Sequence, residues 1–330
     1  MYGAQIKFGI ARQTNVGSYV TAPTSFHGFA MVSEDVGLEK DELISQNLIG
    51  QFEEGAVYDG VNRVLGTITF EVTPRNLLAA MHAAVNYAPV EVTSGALRTH
   101  TWLPNTIDYN SAMVKAPMTV YKQFSDSTSA ELFYDAQFGQ LEFTVAQGQF
   151  LRGRLTMNGG SRFPTGIGSM AVAPNAADVG RLFPWNVSSI SLGGVALNQT
   201  SEITVSLNEN IEPLYTNNAA TTPFKYSRST FREVTVQGTF YMNDRTILDQ
   251  FVAGTQSRLF ITIQNTRTAV QSGYFNQFTI DVPQLKFTQF KPGASGPGEV
   301  SVAFTARGVV DPSSLYAIQF TSITTYQAGF

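Results

Sequence analysis

The stretch "VNRVLGTITFEVTPRNLLAAMHAAV", residues 61–85, decides how this chain is read. In its "TITFEVT" segment, Ile68, Phe70 and Val72 fall on one side. Thr67, Thr69, Glu71 and Thr73 fall on the other. Apolar residues at a period of two mark a half-buried β-strand. The chain then enters an apolar run with Thr73 placed to cap a helix and Pro74 at its first position. A hydroxyl N-cap followed by proline is a helix start, and the spacing predicts a helix over 74–85.

The same unit returns at 231–254 as "FREVTVQGTFYMNDRTILDQFVAG". With Phe70 placed on Phe240, Arg75 falls on Arg245, Leu77 on Ile247, Leu78 on Leu248 and Met81 on Phe251. A second helix is expected over 245–253, capped by Asn243 or Asp244 and ended by Gly254. A further matched pair is a strand–turn–strand segment at 137–160 and another at 277–308, the latter with a Pro/Gly-rich tip at 292–298. Between the copies lies the nearly uncharged "FPTGIGSMAVAPNAADVG" (163–180), read as a linker. The expected organisation is two tandem domains, 1–175 and 176–330, in keeping with the 330-residue length. Residues 1–30 read as an arm. Residues 37–62 read as a long loop, lacking both clean alternation and a helical face.

Alternation recurs in "LEFTV" (141–145), "EITVSLN" (202–208) and "VSVAFTA" (300–306), runs rich in Val, Phe and Thr. The fold class is therefore mainly β: two β-sandwich or barrel domains, each with one short flanking α-helix and a long β-hairpin.

Composition narrows the function. Charged residues make up only 14%, against roughly 25% in ordinary soluble domains, which favours a subunit whose surface is covered in an assembly. The net charge is −4, and no run of Lys and Arg forms a basic stripe of the kind that grips nucleic acid. With no cysteine, disulfides and thiolate metal sites are excluded. The N-terminal stretch has no apolar h-region, and no apolar run reaches the roughly 18 residues of a membrane span. The expectation is a chain made and assembled in a cytoplasm.

Candidate chemistry is thin. His27, His82 and His100 show no metal-ligand spacing and read as packed or surface residues. Asp41–Glu42 and Glu53–Glu54 read as a solvated acidic face rather than paired catalytic carboxylates. "GIGSMA" (166–171) fits a dinucleotide fingerprint in letters only, since it opens no helix and runs into Pro174. The sequons at Asn186 and Asn198 are chance matches in a Ser/Thr-rich chain. The reading is a non-enzyme that needs no cofactor or metal.

What remains is the polar side of the strands. Thr67, Thr69 and Glu71 line one such side, Glu142 and Thr144 another, Thr235, Gln237 and Thr239 a third, and Ser301 and Thr305 a fourth. Open sheet edges are often guarded by Lys. These hydroxyl-rich faces instead suit a wall past which a polyanion slides, because phosphate is held chiefly by Lys and Arg.

Several blocks carry a resemblance. "MVSEDVG", "LISQNLIG" and "GTITFEVTPRNLLAAM" in the first half, "PMTVYKQFSD" and "AQFGQLEFTVAQGQFLRGRLTMNGG" (136–160), then "FPWNVSSISLGGVALNQTSEITVSLNENIEP" (183–213), "VTVQGTFYMND" and "VSVAFTARGVVD" are similar to the major tail tube proteins of long-tailed bacteriophages. The likeness covers nearly the whole chain. It implies tail-tube-type β domains whose rings stack into a hollow virion tail through which double-stranded DNA passes without specific binding. Six tube domains per ring would need three chains if each contributes two, or six if the second half is accessory. Implied partners are further copies of the chain, a tape-measure protein, and tail terminator and distal tail proteins. The ten polar residues above are then lumen candidates. Glu39, Asp41, Glu42, Gln51, Glu53, Glu54, Lys291 and Ser295 are candidates for ring stacking.

Two other readings stand beside this one. Trp102 and Trp185 could stack on sugar rings in a carbohydrate-binding or hydrolytic β-sandwich. A decoration or tail-tip protein would share the β character. Tryptophan exposure separates the first, and copy number per particle the second.

Overall fold

The computed structural model describes residues 6–22, 26–45, 57–85, 89–104, 115–124, 130–162, 181–197, 200–217, 223–242, 245–293 and 300–327. The first part of the chain forms β1 (Lys7–Arg12), β2 (His27–Gly28), β3 (Ser33–Glu34), β4 (Gly37–Ile44), β5 (Val57–Glu71), α1 (Pro74–Ala84), β6 (Val90–Ser94), β7 (Leu97–Trp102), β8 (Met118–Gln123), β9 (Ala130–Ala146) and β10 (Arg152–Arg162). A 3-10 turn at Trp185–Val187 opens the second part. After it come β11 (Ser188–Leu192), β12 (Val195–Ala196), β13 (Thr200–Asn208), β14 (Ile211–Leu214), β15 (Lys225–Arg228), β16 (Glu233–Tyr241), α2 (Thr246–Val252), β17 (Ser257–Gln271), β18 (Tyr274–Gly293), β19 (Ser301–Val309) and β20 (Gln319–Thr324). The protein is mainly β, and every strand pairing is antiparallel.

The two parts repeat one strand order. In the first, β1 pairs with β8, β8 with β9, β9 with β10, β10 with β5, and β5 with β3 and β4. In the second, β11 pairs with β17, β17 with β18, β18 with β19, β19 with β16, and β16 with β13. The register repeats as well. Phe70 faces Gly153, which faces Phe143; Phe240 faces Val302, which faces Pro292. Each copy carries a β-bulge at the same place, skipping Gly139 in β9 and Thr288 in β18. The register therefore sets Phe138 against Phe287, whereas the sequence match of the hairpins set it against Phe278.

Both helices lie where the spacing put them. Thr73 accepts a hydrogen bond from the Asn76 amide at 3.2 Å and caps α1. The α2 helix begins one residue later than expected, with Arg245 at its cap and no side-chain cap bond. Asn243 and Asp244 lie outside the described residues. Gly254, at φ +68°, takes the left-handed turn that ends α2. The α1 helix lies on β9 and α2 on β18, one more repeated relation.

Three expectations are corrected. The segment 1–30 is not a free arm: β1 pairs with β8, and Phe8, Ile10 and Ala11 are buried. The chain beyond β1 is tied down too, where Gly17 N–H donates to Asp135 Oδ1 at 2.9 Å. A strand buried on both faces shows no alternation, which hid it. The described ends of 37–62 are not loop but the β4–β5 ribbon, Gly37 to Leu65 through Ile44 to Val57. Most of its distal part is exposed, so no apolar face was needed to build it. Finally, of the barrel alternative, no closed barrel forms among the described residues. Eighteen strands make one branched sheet that does not close on itself among those residues, with β14–β15 as a separate ribbon.

The two parts fuse along β9 and β13, which pair without interruption from Ala146–Glu202 to Gln140–Asn208. The β20 strand reaches back to β7. Behind the sheet a contiguous apolar core takes in residues of both parts. The Phe143 ring sits 4.9 Å from that of Phe278 and 6.0 Å from that of Phe320. Each such buried ring contributes roughly 1.5–3 kcal/mol.

Candidate functional site

Residues directly opposite in an antiparallel sheet share a face, so the register locates the polar candidates. Thr67, Thr69 and Glu71 of β5 face Thr156, Arg154 and Arg152 of β10. These face Gln140, Glu142 and Thr144 of β9, which in turn face Asn208, Ser206 and Thr204 of β13. Beyond β13 come Thr235, Gln237 and Thr239 of β16, then Arg307, Thr305 and Ala303 of β19, with Ser301 opposite Tyr241. Lys286, Gln289 and Lys291 of β18, opposite Arg307, Thr305 and Ala303, end the row. All ten polar candidates thus belong to one polar face that crosses seven strands and both repeats.

Side chains tie this face together at the seam between the repeats. Gln140 Nε2 donates to Ser206 Oγ at 3.0 Å, and the Thr144 and Thr204 hydroxyls lie 3.0 Å apart. The opposite face of the same strands carries the core: Leu141, Phe143, Val145, Ile203, Val205 and Leu207 are buried. Alternation therefore sorts each strand into an apolar back and a polar front.

The front carries charges of both signs rather than none, and Lys286 stands opposite Arg307 at its β18 end. Arg154 lies opposite Glu142, Arg152 opposite Glu71, and Arg307 Nε is 3.8 Å from Glu233 Oε1. The sequence points to Thr, Ser, Gln and Glu on this face, but Arg152, Arg154, Arg307 and Glu233 were not among the candidates. Their signal was present: in "LRGRLT", Arg152, Arg154 and Thr156 alternate with the buried Leu151, Gly153 and Leu155. An arginine beside a glutamate across the ladder offers a passing phosphate little net attraction.

The stacking candidates divide. Glu39 and Asp41 lie on the β4 edge, where Arg63 reaches both, at 3.5 and 3.1 Å. Glu42 stands directly opposite Asp59, a like-charged cross-strand pair that costs stability unless something compensates it. Lys291 sits opposite Ala303 at the exposed end of β18, on the polar front itself. Gln51, Glu53, Glu54 and Ser295 lie outside the described residues.

Beneath the seam is a buried ion cluster that no sequence spacing announced. Glu209 receives Arg228 Nη2 at 2.9 Å and Arg232 Nε at 3.0 Å, with Lys115 Nζ 3.5 Å from its other oxygen. Burial pushes the Glu209 carboxyl up, but Lys115, Arg232 and Arg228 together outweigh it and hold it below the usual range. Burial lowers Lys115 to about 8, against the raising pull of Glu209. Lys115 Nζ also donates to the carbonyls of Ala84, at the end of α1, and Phe138 of β9.

The histidines, distant in sequence, converge enough for His100 and His27 to disfavour charge on His82. Burial lowers both His27 and His82 to about 4. Among the described residues no group of His, Asp and Glu could hold a metal ion. Trp102 is fully buried beside His100 and so cannot stack on a sugar, while Trp185 is 40% exposed. Among the described residues no helix is long and apolar enough to cross a membrane.

The described residues thus form a wide sheet with an apolar back and a polar front carrying charges of both signs. A family model described as phage tail tube protein matches residues 3–308, and the chain belongs to that family. It is a structural component of a phage tail, from a family that is not one of enzymes. No curated protein matches it. Among solved structures it is similar to a chain of "Virion of native gene transfer agent (GTA) particle", at 10% identity over 38% of this chain and 92% of that one. The TM-score is 0.25, and this likeness carries no argument.

Proposed function

We propose that copies of this chain close into rings that stack into the hollow tail tube, with the polar front lining the bore through which double-stranded DNA passes. The reading rests on the family and on one observation: a single polar face runs across seven strands and joins both repeats. Arg152 lies opposite Glu71 and Arg154 opposite Glu142 on that face, so in this reading a DNA duplex meets a wetted wall whose central arginines have acidic neighbours. The back of the sheet, covered by α1 and α2, is the outer side.

In this reading the chain holds two tube domains, 1–175 and 176–330, and three chains make a pseudo-sixfold ring. A six-chain ring is the alternative. Ring closure is a heterologous contact whose rotation returns on itself. The β4–β5 ribbon, with its acidic Glu39, Asp41 and Glu42, reaches towards the next ring. The tube is built in the host cytoplasm around a tape-measure protein and is bounded by terminator and distal tail proteins.

Electron microscopy of purified protein and of tails containing it tests this. Stacked rings of three chains, at high copy number per particle, are expected. A chain present in only a few copies per virion, with no ring density in the tail, would be a decoration or tail-tip protein instead.

A further inference from the structure

Where the β9–β13 seam ends, a cleft of about 190 Å3 opens between the turn after β9, the 3-10 turn at Trp185–Val187 and the β11 strand. Its floor is apolar. Val145, Ile190 and Leu197 are 6, 7 and 9% exposed, packed into the core yet reachable from the cleft. Trp185, 40% exposed, forms a wall. Gln147, Asn186, Ser188 and Thr200 supply the polar lining, and among the described residues no charged side chain lines it.

The Trp185 wall is held in place. Its N–H donates to the Gln149 carbonyl at 3.1 Å, and its own carbonyl accepts from Ser188 Oγ at 2.7 Å. Two residues earlier, the Phe183 carbonyl accepts from the Leu151 N–H at 2.8 Å. A platform fixed before binding loses little freedom when a ligand arrives.

The polar groups divide by what they still offer. The Ser188 and Thr200 hydroxyls donate to the carbonyls of Trp185 and Leu197, at 2.7 and 3.1 Å, so towards the cleft they act as acceptors. The Gln147 and Asn186 amides carry donors and an acceptor each, and neither side chain bonds another described residue. A ligand matching this set is neutral, donates from several hydroxyls and has an apolar face to lie on an indole. A phosphate or carboxylate meets no cation here, and a wholly apolar ligand would desolvate the polar lining without replacing its hydrogen bonds. A pyranose sugar meets all three demands, with C–H groups on one face and hydroxyls around its edge. The volume lies below the roughly 300–1,000 Å3 of pockets for drug-sized ligands, so it suits one ring rather than a chain of them.

We propose that this cleft binds a single neutral pyranose residue, stacked on Trp185 and hydrogen-bonded by Gln147, Asn186, Ser188 and Thr200. The site does not rest on the ring reading. Its floor belongs to the apolar back of the sheet, away from the face assigned to the bore.

The chain has two tryptophans, and Trp102 is fully buried, so solvent-sensitive fluorescence reports on Trp185. Purified full-length protein is titrated with glucose, galactose, mannose and N-acetylglucosamine, each as the free sugar and as its methyl glycoside. At least one is expected to shift the emission saturably in the millimolar range and to shield Trp185 from acrylamide, while glycerol at equal concentration does neither. Asn186→Ala, at an exposed side chain, is expected to weaken that sugar about tenfold at an unchanged melting temperature. Trp185→Ala is expected to abolish binding, measured by calorimetry. Methyl glycosides that bind as well as free sugars mark a residue within a glycan as the ligand, and binding of free sugars alone marks a soluble one. No saturable response to any of these sugars, or binding unchanged in both variants, overturns the site and leaves the ring reading untouched.

Discussion

Lys115 and Glu209 lie 3.5 Å apart, each almost wholly buried, one just before β8 and the other just after β13. The contact joins the two repeats from behind while the Gln140–Ser206 and Thr144–Thr204 bonds join them from the front. Removing one partner of a buried pair strands the other's charge, which costs about 3–5 kcal/mol. Glu209→Gln is expected to lower the unfolding free energy from chemical denaturation by that amount. A cost below about 1 kcal/mol would show that the seam holds without its ion cluster.

Gly159 and Tyr226 make a second bridge between the repeats. A Cβ on Gly159 would fall 1.9 Å from the Tyr226 ring, which belongs to the β14–β15 ribbon. Overpacking of this kind costs about 1–3 kcal/mol. Gly159→Ala is therefore expected to destabilise the chain, and Tyr226→Ala in the same chain to recover part of the loss. Additive effects of the two changes, measured by thermal melting, would refute the coupling.

Acid should loosen the fold through its histidines. His82 has a folded pKa of about 4 against an ordinary 6.5, because burial disfavours its charge. The unfolded chain binds the proton more tightly, so stability is full above about 6.5 and falls as pH drops towards 4. Each such histidine accounts for about 3 kcal/mol over that window. His82→Gln is expected to flatten the decline in melting temperature between pH 6.5 and 4. An unchanged pH profile would assign the acid sensitivity elsewhere.

The acidic neighbours of Arg152 and Arg154 predict a gain of function. Glu71→Lys with Glu142→Lys leaves Arg152 and Arg154 uncompensated. Assembled tubes of this variant are expected to retain double-stranded DNA at low salt and release it as salt rises, with a log–log slope increasing by about 0.9 per new phosphate contact. Wild-type tubes are expected to release it. Equal retention by both would place these residues outside the bore.

At α1, Thr73→Ala removes the cap bond to Asn76 and is expected to cost about 1 kcal/mol in chemical denaturation.

The repeat was legible because each copy joins two different periods, strand then helix, at one offset from Phe70 to Leu78. The polar candidates were legible for the same reason, since alternation fixes which side a residue takes. What stayed hidden has physical causes. The β1 strand is apolar on both faces and the β4–β5 ribbon largely polar on both, so neither alternates. The β9–β13 pairing joins residues about sixty positions apart and leaves no local trace. Lys115, Glu209, Arg228 and Arg232 read as scattered surface charges until folding gathers them.

The unbroken β9–β13 pairing has a mechanical consequence. With the Lys115–Glu209 contact behind it, pulling the two repeats apart means shearing a whole ladder of main-chain bonds together with a buried ion pair, so the doubled unit yields last under load.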